Sequence, residues 1–350
     1  MISKMRDDES GSRIGIVMNG SPLFSGGAAS GPSEIRRWML ENDWIEAIVA
    51  LPTSLFYNTA IQTYVWILTN RKPEFRRGKV QLIDASGERF WNAMRKGLGE
   101  KRREIPDEAR HEIVRIYAEM LNGNGEYSEF SKIFDAEEFG YREVRIERPL
   151  RLNFCTSLRR LNRLQDDKAF TKLSEDQQQA IWRALDANND INPPFGGDQG
   201  DDGGYLVWKN RDEFVGLIEG YPKDAGIKVK APVMKAILSA LSERDEEADI
   251  CADKHGNPEP DTGLRDHELV PLKETWKDYV AREVKPFVPD AWVDESHRDA
   301  RDGQVGRIGY EINFNRNFYQ YVPPRPLEEI NAELNALEGE IARLLKEVAA

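Results

Sequence analysis

Asn192-Pro193-Pro194-Phe195 is the part of this sequence whose residue types could most directly do chemistry. In enzymes that methylate exocyclic amines, such a tetrapeptide accepts hydrogen bonds from the amine on the Asn side chain and a Pro carbonyl. The aromatic ring then stacks on a base turned out of its helix. That arrangement needs a strand immediately upstream, because open α/β sheets meet their ligands at the carboxyl ends of strands. Arg183 to Ile191 read instead as a helix end and a polar turn, so a proline-rich loop start is the favoured reading. Gly196, Gly197, Gly200, Gly203 and Gly204 stand among Asp198, Asp201 and Asp202 with no strand before them. They read as a solvated loop and not as a turn that cradles a nucleotide. Cys155 and Cys251 are the only cysteines and the four histidines are scattered, so no metal ligand set and no disulfide framework is expected.

The elements that would have to position any site follow from the apolar pattern. Arg13 to Met18, Ile45 to Leu51, Thr63 to Leu68 and Lys79 to Asp84 are short apolar runs bounded by turn residues, and read as strands of an α/β sheet with both faces covered. Ser33 is a candidate helix cap, with Ile35, Trp38 and Met39 at helical spacing and Asn42-Asp43 as the stop. Phe90 to Asn122 carries mixed charge with Ile113, Ile116, Tyr117 and Met120 in helical register, and reads as a helical excursion. Residues 157–187 and 211–243 read as helices, whereas Glu243 to His267 and Asp294 to Gly306 are polar enough to be linkers. The expected divisions are 1–88, 89–155, 156–245, 246–322 and 323–350.

With 350 residues, 40% apolar and 31% charged, the chain can bury a sizeable core and is neither a disordered nor a membrane protein by composition. The start Met1 to Asp8 has no apolar stretch of export type, and a cytoplasmic protein is expected. A net charge of −12 excludes a protein that coats nucleic acid non-specifically. Two local basic stripes remain as DNA-contact candidates, one with Lys101 and Arg102 and one with Arg142 and Arg145. Both are interspersed with Glu, as solvated faces are.

The C-terminal helix announced by Pro323-Pro324-Arg325-Pro326 carries Leu327, Ile330, Leu334, Leu337, Ile341, Leu344 and Val348 at alternating spacings of three and four. That is one seam of a coiled coil offered to another chain, or the apolar stripe of a helix packed on its own domain.

Taken together, the blocks Gly11 to Phe24, Trp38 to Asp43, Ile48 to Ile61 and Lys79 to Ala85 closely resemble the modification subunits of type I restriction-modification systems, in the N-6 adenine-specific DNA methylase family. Phe139-Gly140-Tyr141, Glu147 to Leu152, Leu264-Arg265-Asp266, Pro289 to Trp292, Ile308 to Ile312 and Tyr321 to Leu327 continue that resemblance. The resemblance implies a Rossmann-like, S-adenosylmethionine-dependent methyltransferase sheet, of which this chain is the C-terminal part, followed by a mainly helical region and the C-terminal amphipathic helix. In that family the glycine-rich cofactor loop and the NPP-aromatic motif both precede the strand that looks like Arg13 to Met18. Asn192 therefore cannot stand in for the motif. The chain is expected to hold the last three strands of the sheet, to contain no catalytic residues, and to be inactive alone.

The same resemblance implies that an aromatic of the loop Leu55-Phe56-Tyr57 lies against the target base. Phe56 is the first choice, though it could equally pack under the sheet. Asn58 would fix the loop, and Asn19 would face the same crevice from the neighbouring strand end. The implied partners are DNA, a specificity subunit and a restriction subunit, with Leu334, Leu337, Ile341 and Leu344 docking the specificity subunit and no membrane involved. The alternative is a non-catalytic module that only docks the specificity subunit.

Overall fold

The four apolar runs of the N-terminal region become neighbours in one sheet, in which the runs at 45–50, 63–69 and 79–84 are largely buried and the run at 13–19 is half-buried on one face and exposed on the other. In the computed structural model they are β1 (Arg13–Asn19), β2 (Ile45–Ala50), β3 (Thr63–Thr69) and β4 (Lys79–Asp84). The model describes the whole chain except residues 122–126, 187–204, 225–227, 320, 322 and 350. Asn192-Pro193-Pro194-Phe195 and the glycines of 196–204 thus lie outside the described residues. A hairpin, β5 (Asn92–Leu98) and β6 (Lys101–Glu104), precedes β7 (Ser131–Asp135). The sheet has five strands in the order β1-β3-β2-β4-β7. β2 and β4 are parallel, β3 runs antiparallel to both β1 and β2, and β7 runs antiparallel to β4. The first block therefore supplies the four strands its apolar runs mark, and β7 supplies a fifth.

Successive side chains point to opposite faces. On one face Trp66, Leu68, Ile48 and Leu82 are buried beneath α2 (Gly31–Glu41), which follows the short α1 (Ser21–Phe24). On the other face Val49 and Ile83 pack with Phe90, Ala109 and Ile116, the last two from α3 (Asp107–Ala118). The helix reading of 90–122 holds from Asp107 onward, while 92–104 is the hairpin. Ser30, not Ser33, precedes α2; the Ser33 hydroxyl lies inside the helix and accepts the Tyr310 N–H at 3.0 Å.

At the opposite end of the sheet from the loops discussed below, Glu46 is buried and pairs with Arg13 at 3.1 Å and Arg76 at 3.5 Å. It also accepts the Tyr117 hydroxyl at 2.8 Å. A buried carboxylate persists only when its lone pairs are taken up in this way.

The chain forms two units, residues 1–140 with 310–350, and residues 141–309. In the second unit β8 (Gly140–Glu147) is the spine of a sheet: β11 (Asp266–Pro271) lies on one side, and β12 (Trp292–Val293) and β13 (Arg307–Tyr310) also pair with it. β9 (Leu152–Phe154) pairs with β10 (Ser242–Arg244). Helices α4 (Leu158–Asn162), α5 (Glu175–Asp186), α6 (Arg211–Asp224) and α7 (Ala231–Leu241) contribute Leu161, Ile181, Phe214 and Ile237 to a core around Phe154.

Neither polar stretch is an open linker. Asp261 is buried on the Arg244 guanidinium, with two contacts of 2.7 Å, and Cys251 is buried as well. The many Asp residues of this stretch turn the chain: Asp253 accepts the N–H groups of His255 and Asn257. Such Asx turns make a sequence read as linker while the backbone is held.

Candidate functional site

The carboxyl ends of β1, β2 and β4 meet at one end of the sheet, where Met18, Tyr64, Ala50 and Asp84 form a single cross-strand row. Asn19 sits there opposite Thr63, at the same sheet end as the loop 51–62 but separated from β2 by β3. The loop begins with Leu51 N–H donating to the Thr63 carbonyl at 2.8 Å. Ser54 takes a left-handed backbone, φ 55°, and its N–H closes on the Ala60 carbonyl at 3.1 Å. Phe56 faces Thr59 across an isolated bridge, which leaves Tyr57 and Asn58 at the tip.

The two aromatic residues then part company. Phe56 is half-buried against the cluster that includes Val49, Leu51, Ile83 and Phe90. Tyr57 is 64% exposed, with the Lys101 ammonium 5.5 Å from its ring centroid. Asn58 is also exposed.

The β5–β6 hairpin holds this loop from behind, and it was not legible as a hairpin in the sequence. Leu98 pairs with Lys101, so Gly99-Glu100 is a two-residue turn, and Gly99 has φ +59° as such turns require of one central residue. Glu100 N–H donates to the Tyr57 carbonyl at 2.9 Å, and Arg102 N–H donates to the Ser54 carbonyl at 2.9 Å. Arg103 donates to the Thr53 hydroxyl at 2.7 Å and lies 3.8 Å from the Trp91 ring centroid. Trp91 donates to the Ser86 carbonyl at 3.1 Å, and the Ser86 hydroxyl donates to Asp84 at 2.6 Å. A continuous set of polar contacts therefore runs from the end of β4 to the base of the loop. The signal that could have found it is Gly99 followed by a second run of basic residues, a glycine-led turn between two short polar strands.

The two basic stripes differ. Lys101 and Arg102 are carried beside the loop tip, and Arg102 is exposed. Arg142 is paired with Asp302 at 2.7 Å and Arg145 with Asp294 at 3.1 Å, so both guanidiniums tie down the segment 294–306. The seam residues Leu334, Leu337, Ile341 and Leu344 lie on the helix Leu327–Ala349 and are all exposed, at 53, 54, 55 and 47%.

One flank of the sheet is bare. β1 pairs only with β3 among the described strands, and Val17, Ile35 and Trp38 are exposed. A groove of about 740 Å³ runs beside it, lined by Ile14, Ile16, Met18, Asn19, Ile35 and Trp38.

A sheet with parallel strands presenting an aromatic-tipped loop at their carboxyl ends belongs to the α/β class that meets ligands at that end. Comparison with known proteins narrows the class. Residues 2–150 match the family model of N-6 DNA Methylase. The chain is similar to the type I restriction enzyme MjaVIII methylase subunit of Methanocaldococcus jannaschii, with 36% identity over 126 residues, 36% of this chain and 20% of that protein. The MjaIX methylase subunit of the same organism is 37% identical over 73 residues, 21% of this chain and 12% of that protein.

The chain spans about a fifth or less of the length of the curated relatives it matches. Among solved structures, the type I methyltransferase subunit from Streptococcus thermophilus is 27% identical with a TM-score of 0.29, covering 36% of this chain and 24% of that one. A modification subunit of a putative type I restriction enzyme from Vibrio vulnificus is 17% identical with a TM-score of 0.31, covering 39% and 26%.

Proposed function

We propose that this chain is the C-terminal portion of the modification subunit of a type I restriction-modification system. In that reading it is part of an enzyme that methylates the exocyclic amine of adenine in DNA with S-adenosylmethionine, and it works with a specificity subunit and a restriction subunit. The observation that carries this reading is the bare flank of β1, which fits the closing strands of a Rossmann-like sheet whose opening strands complete it along that edge.

The described residues of this chain do not fit the cofactor. A site for it needs a strand that enters a helix through a glycine-rich turn, where backbone can approach the ligand. β1 enters α1 through Gly20 alone, and a Cβ there would lie 3.3 Å from the Tyr64 ring, so that backbone already packs on its own sheet. No methyl-transfer step is therefore derived from these residues, and the chain by itself is inactive. Its contribution is the loop 51–62, with the exposed ring of Tyr57 as the surface on which an extruded base stacks and Lys101 and Arg102 beside it for the phosphate backbone.

A second reading, a docking module without catalysis, is favoured by the exposed seam of Leu327–Ala349. Titration of the purified chain with S-adenosylmethionine tests the main proposal. No saturable binding is expected, and micromolar affinity would overturn the account of what these residues lack. Methyl transfer by the chain alone would overturn it as well.

A further inference from the structure

We propose that Glu143, His267 and His297 form a binding site for one divalent transition-metal ion, Zn²⁺ by its ligand chemistry, in the unit 141–309. The three residues come from separate elements. β11 pairs with β8 so that Leu269 lies opposite Glu143 and His267 opposite Arg145, which puts Glu143 and His267 on one face as diagonal neighbours. That face points away from Val144, Ile146 and Val270, which form the core beneath.

His297 arrives from the other side of β8. The segment that follows β12 is held by Asp294 N–H on the Arg145 carbonyl at 3.0 Å and by Gly306 N–H on the His297 carbonyl at 2.6 Å. The buried Asp299 carboxylate accepts the N–H groups of Arg301 and Ile308, each at 3.0 Å. This loop is thus a fixed arm that lays His297 over Glu143.

Two observations point to a ligand. One ligand atom from each of the three residues lies within 4.8 Å of the others, with His297 Nε2 3.8 Å from the Glu143 carboxylate. Independently, His297 is 5% exposed and its Nε2 has no hydrogen-bond partner. A buried polar atom without a partner costs free energy that a coordinate bond would recover.

Two imidazoles and one carboxylate are a zinc ligand set, with bonds of about 2.0–2.1 Å that put tetrahedral ligands roughly 3.4 Å apart. Rotation of the exposed His267 ring, 6.0 Å from the His297 ring, can close the remaining gap. The charges of Arg145 and Arg307 also bear on His297, but Arg145 is neutralised by Asp294 at 3.1 Å. With three protein ligands, a fourth position is left for water. The ion would fasten the edge strand β11 to the arm 294–306.

The untagged chain, cleared of metal with a chelator, tests this directly. Co²⁺ is expected to bind one ion per chain and to give the visible absorption of tetrahedral coordination, and Zn²⁺ should displace it and raise the melting temperature of the protein. The chain has four histidines, so imidazole NMR can be assigned by substitution. Zn²⁺ should shift the signals of His267 and His297 and leave those of His111 and His255 unmoved. His267→Ala, at an exposed position, should keep the fold and weaken binding by at least about tenfold to a hundredfold, and Glu143→Gln should do the same. The double variant His111→Ala/His255→Ala should bind as the parent does. No tetrahedral Co²⁺ spectrum, or unchanged affinity in His267→Ala, would overturn the proposal.

Discussion

The guanidinium of Arg36 donates to the carbonyl oxygen of Tyr310 at 2.5 Å, 274 residues further along the chain. The same buried group donates to the carbonyls of Pro22, Ser25 and Gly26 at 3.1, 2.9 and 3.2 Å. One side chain on α2 therefore closes the segment after β1 and fastens the stretch beginning at Tyr310 to the first unit. It does so with hydrogen bonds that no apolar residue could replace. Arg36→Met would leave several buried carbonyls unpaired, each costing about 1–3 kcal/mol. A loss of at least about 3 kcal/mol in the denaturant unfolding of the first unit is expected. Arg36→Lys should fall between the two, because a single ammonium cannot span four carbonyls. A loss for Arg36→Met indistinguishable from that of an exposed substitution would reject this role.

The Glu46 cluster makes the first unit sensitive to alkali. Burial, together with the hydrogen bond to Glu46, pushes the Tyr117 hydroxyl up to about 12, and burial raises Tyr310 to about 12 as well. Both groups are raised in the folded state, so their contribution is complete below the ordinary phenol value of about 10 and is lost as pH rises through about 12. Melting temperature should fall steeply between those limits, with phenolate absorbance appearing in step. Tyr117→Phe should flatten part of that fall. A pH profile identical to the parent's would show that Tyr117 does not titrate with unfolding.

What the sequence reveals of this fold depends on where each element finds its partners. β2, β3 and β4 were legible because Ile48, Trp66 and Leu82 are buried in the sheet interior, so their runs are apolar without alternation. The β5–β6 hairpin was not, because it packs on a loop and carries Arg95, Lys96 and Arg103 where a core strand would carry Val or Ile. Ile35, Trp38 and Met39 share helical spacing, yet only Met39 is buried while Ile35 and Trp38 are exposed beside the β1 groove. Helical periodicity marks the apolar face of α2 without showing what covers it. The loop 52–60 was recognisable by resemblance, but the different fates of Phe56 and Tyr57 follow from the local Phe56–Thr59 bridge and from the hairpin that holds the Ser54 and Tyr57 carbonyls. His267 and His297 looked scattered because only the pairing of β8 with β11 and the segment that follows β12 bring them to Glu143.

Phe56 and Tyr57 can be separated experimentally. Phe56 packs on the cluster around Phe90, so Phe56→Ala should destabilise the chain by about 1–3 kcal/mol, less than a fully buried ring would. Tyr57 is exposed at the loop tip, and Tyr57→Ala should change stability by no more than about 0.5 kcal/mol. If its ring stacks on a base, Tyr57→Ala should weaken binding of a single-stranded adenine-containing oligonucleotide by about 1–3 kcal/mol, and Tyr57→Phe should retain it. The reverse pattern, with binding lost in Phe56→Ala at unchanged stability, would return the stacking role to Phe56.

Gly99 tests the clamp behind that loop. Its backbone is left-handed, and a Cβ there would sit 2.5 Å from the Tyr57 carbonyl oxygen. Gly99→Ala must therefore push Glu100 N–H away from the carbonyl it serves, beyond the roughly 1–2 kcal/mol that an L-residue pays in that conformation. Amide hydrogen exchange in residues 53–60 should accelerate while the strands β2, β3 and β4 keep their protection. Equal protection in the variant would mean that the loop holds its shape without the hairpin.

The helix Leu327–Ala349 yields the prediction on which the partner interface turns. Its seam leucines are exposed along the whole length, and an isolated helix of this size is only marginally stable in water because nucleation is costly and propagation gains little. A partner helix that buries the seam would supply the missing stabilisation, at about 25 cal/mol for each Å² of apolar surface removed from water. Leu337→Asp puts a charge in the middle of that seam at an exposed position. It should leave the thermal unfolding of both units unchanged and abolish capture of the specificity subunit, whereas Glu338→Ala, one position round the helix, should leave capture intact. Undiminished capture by Leu337→Asp would remove the seam as the docking surface, whatever the two units do.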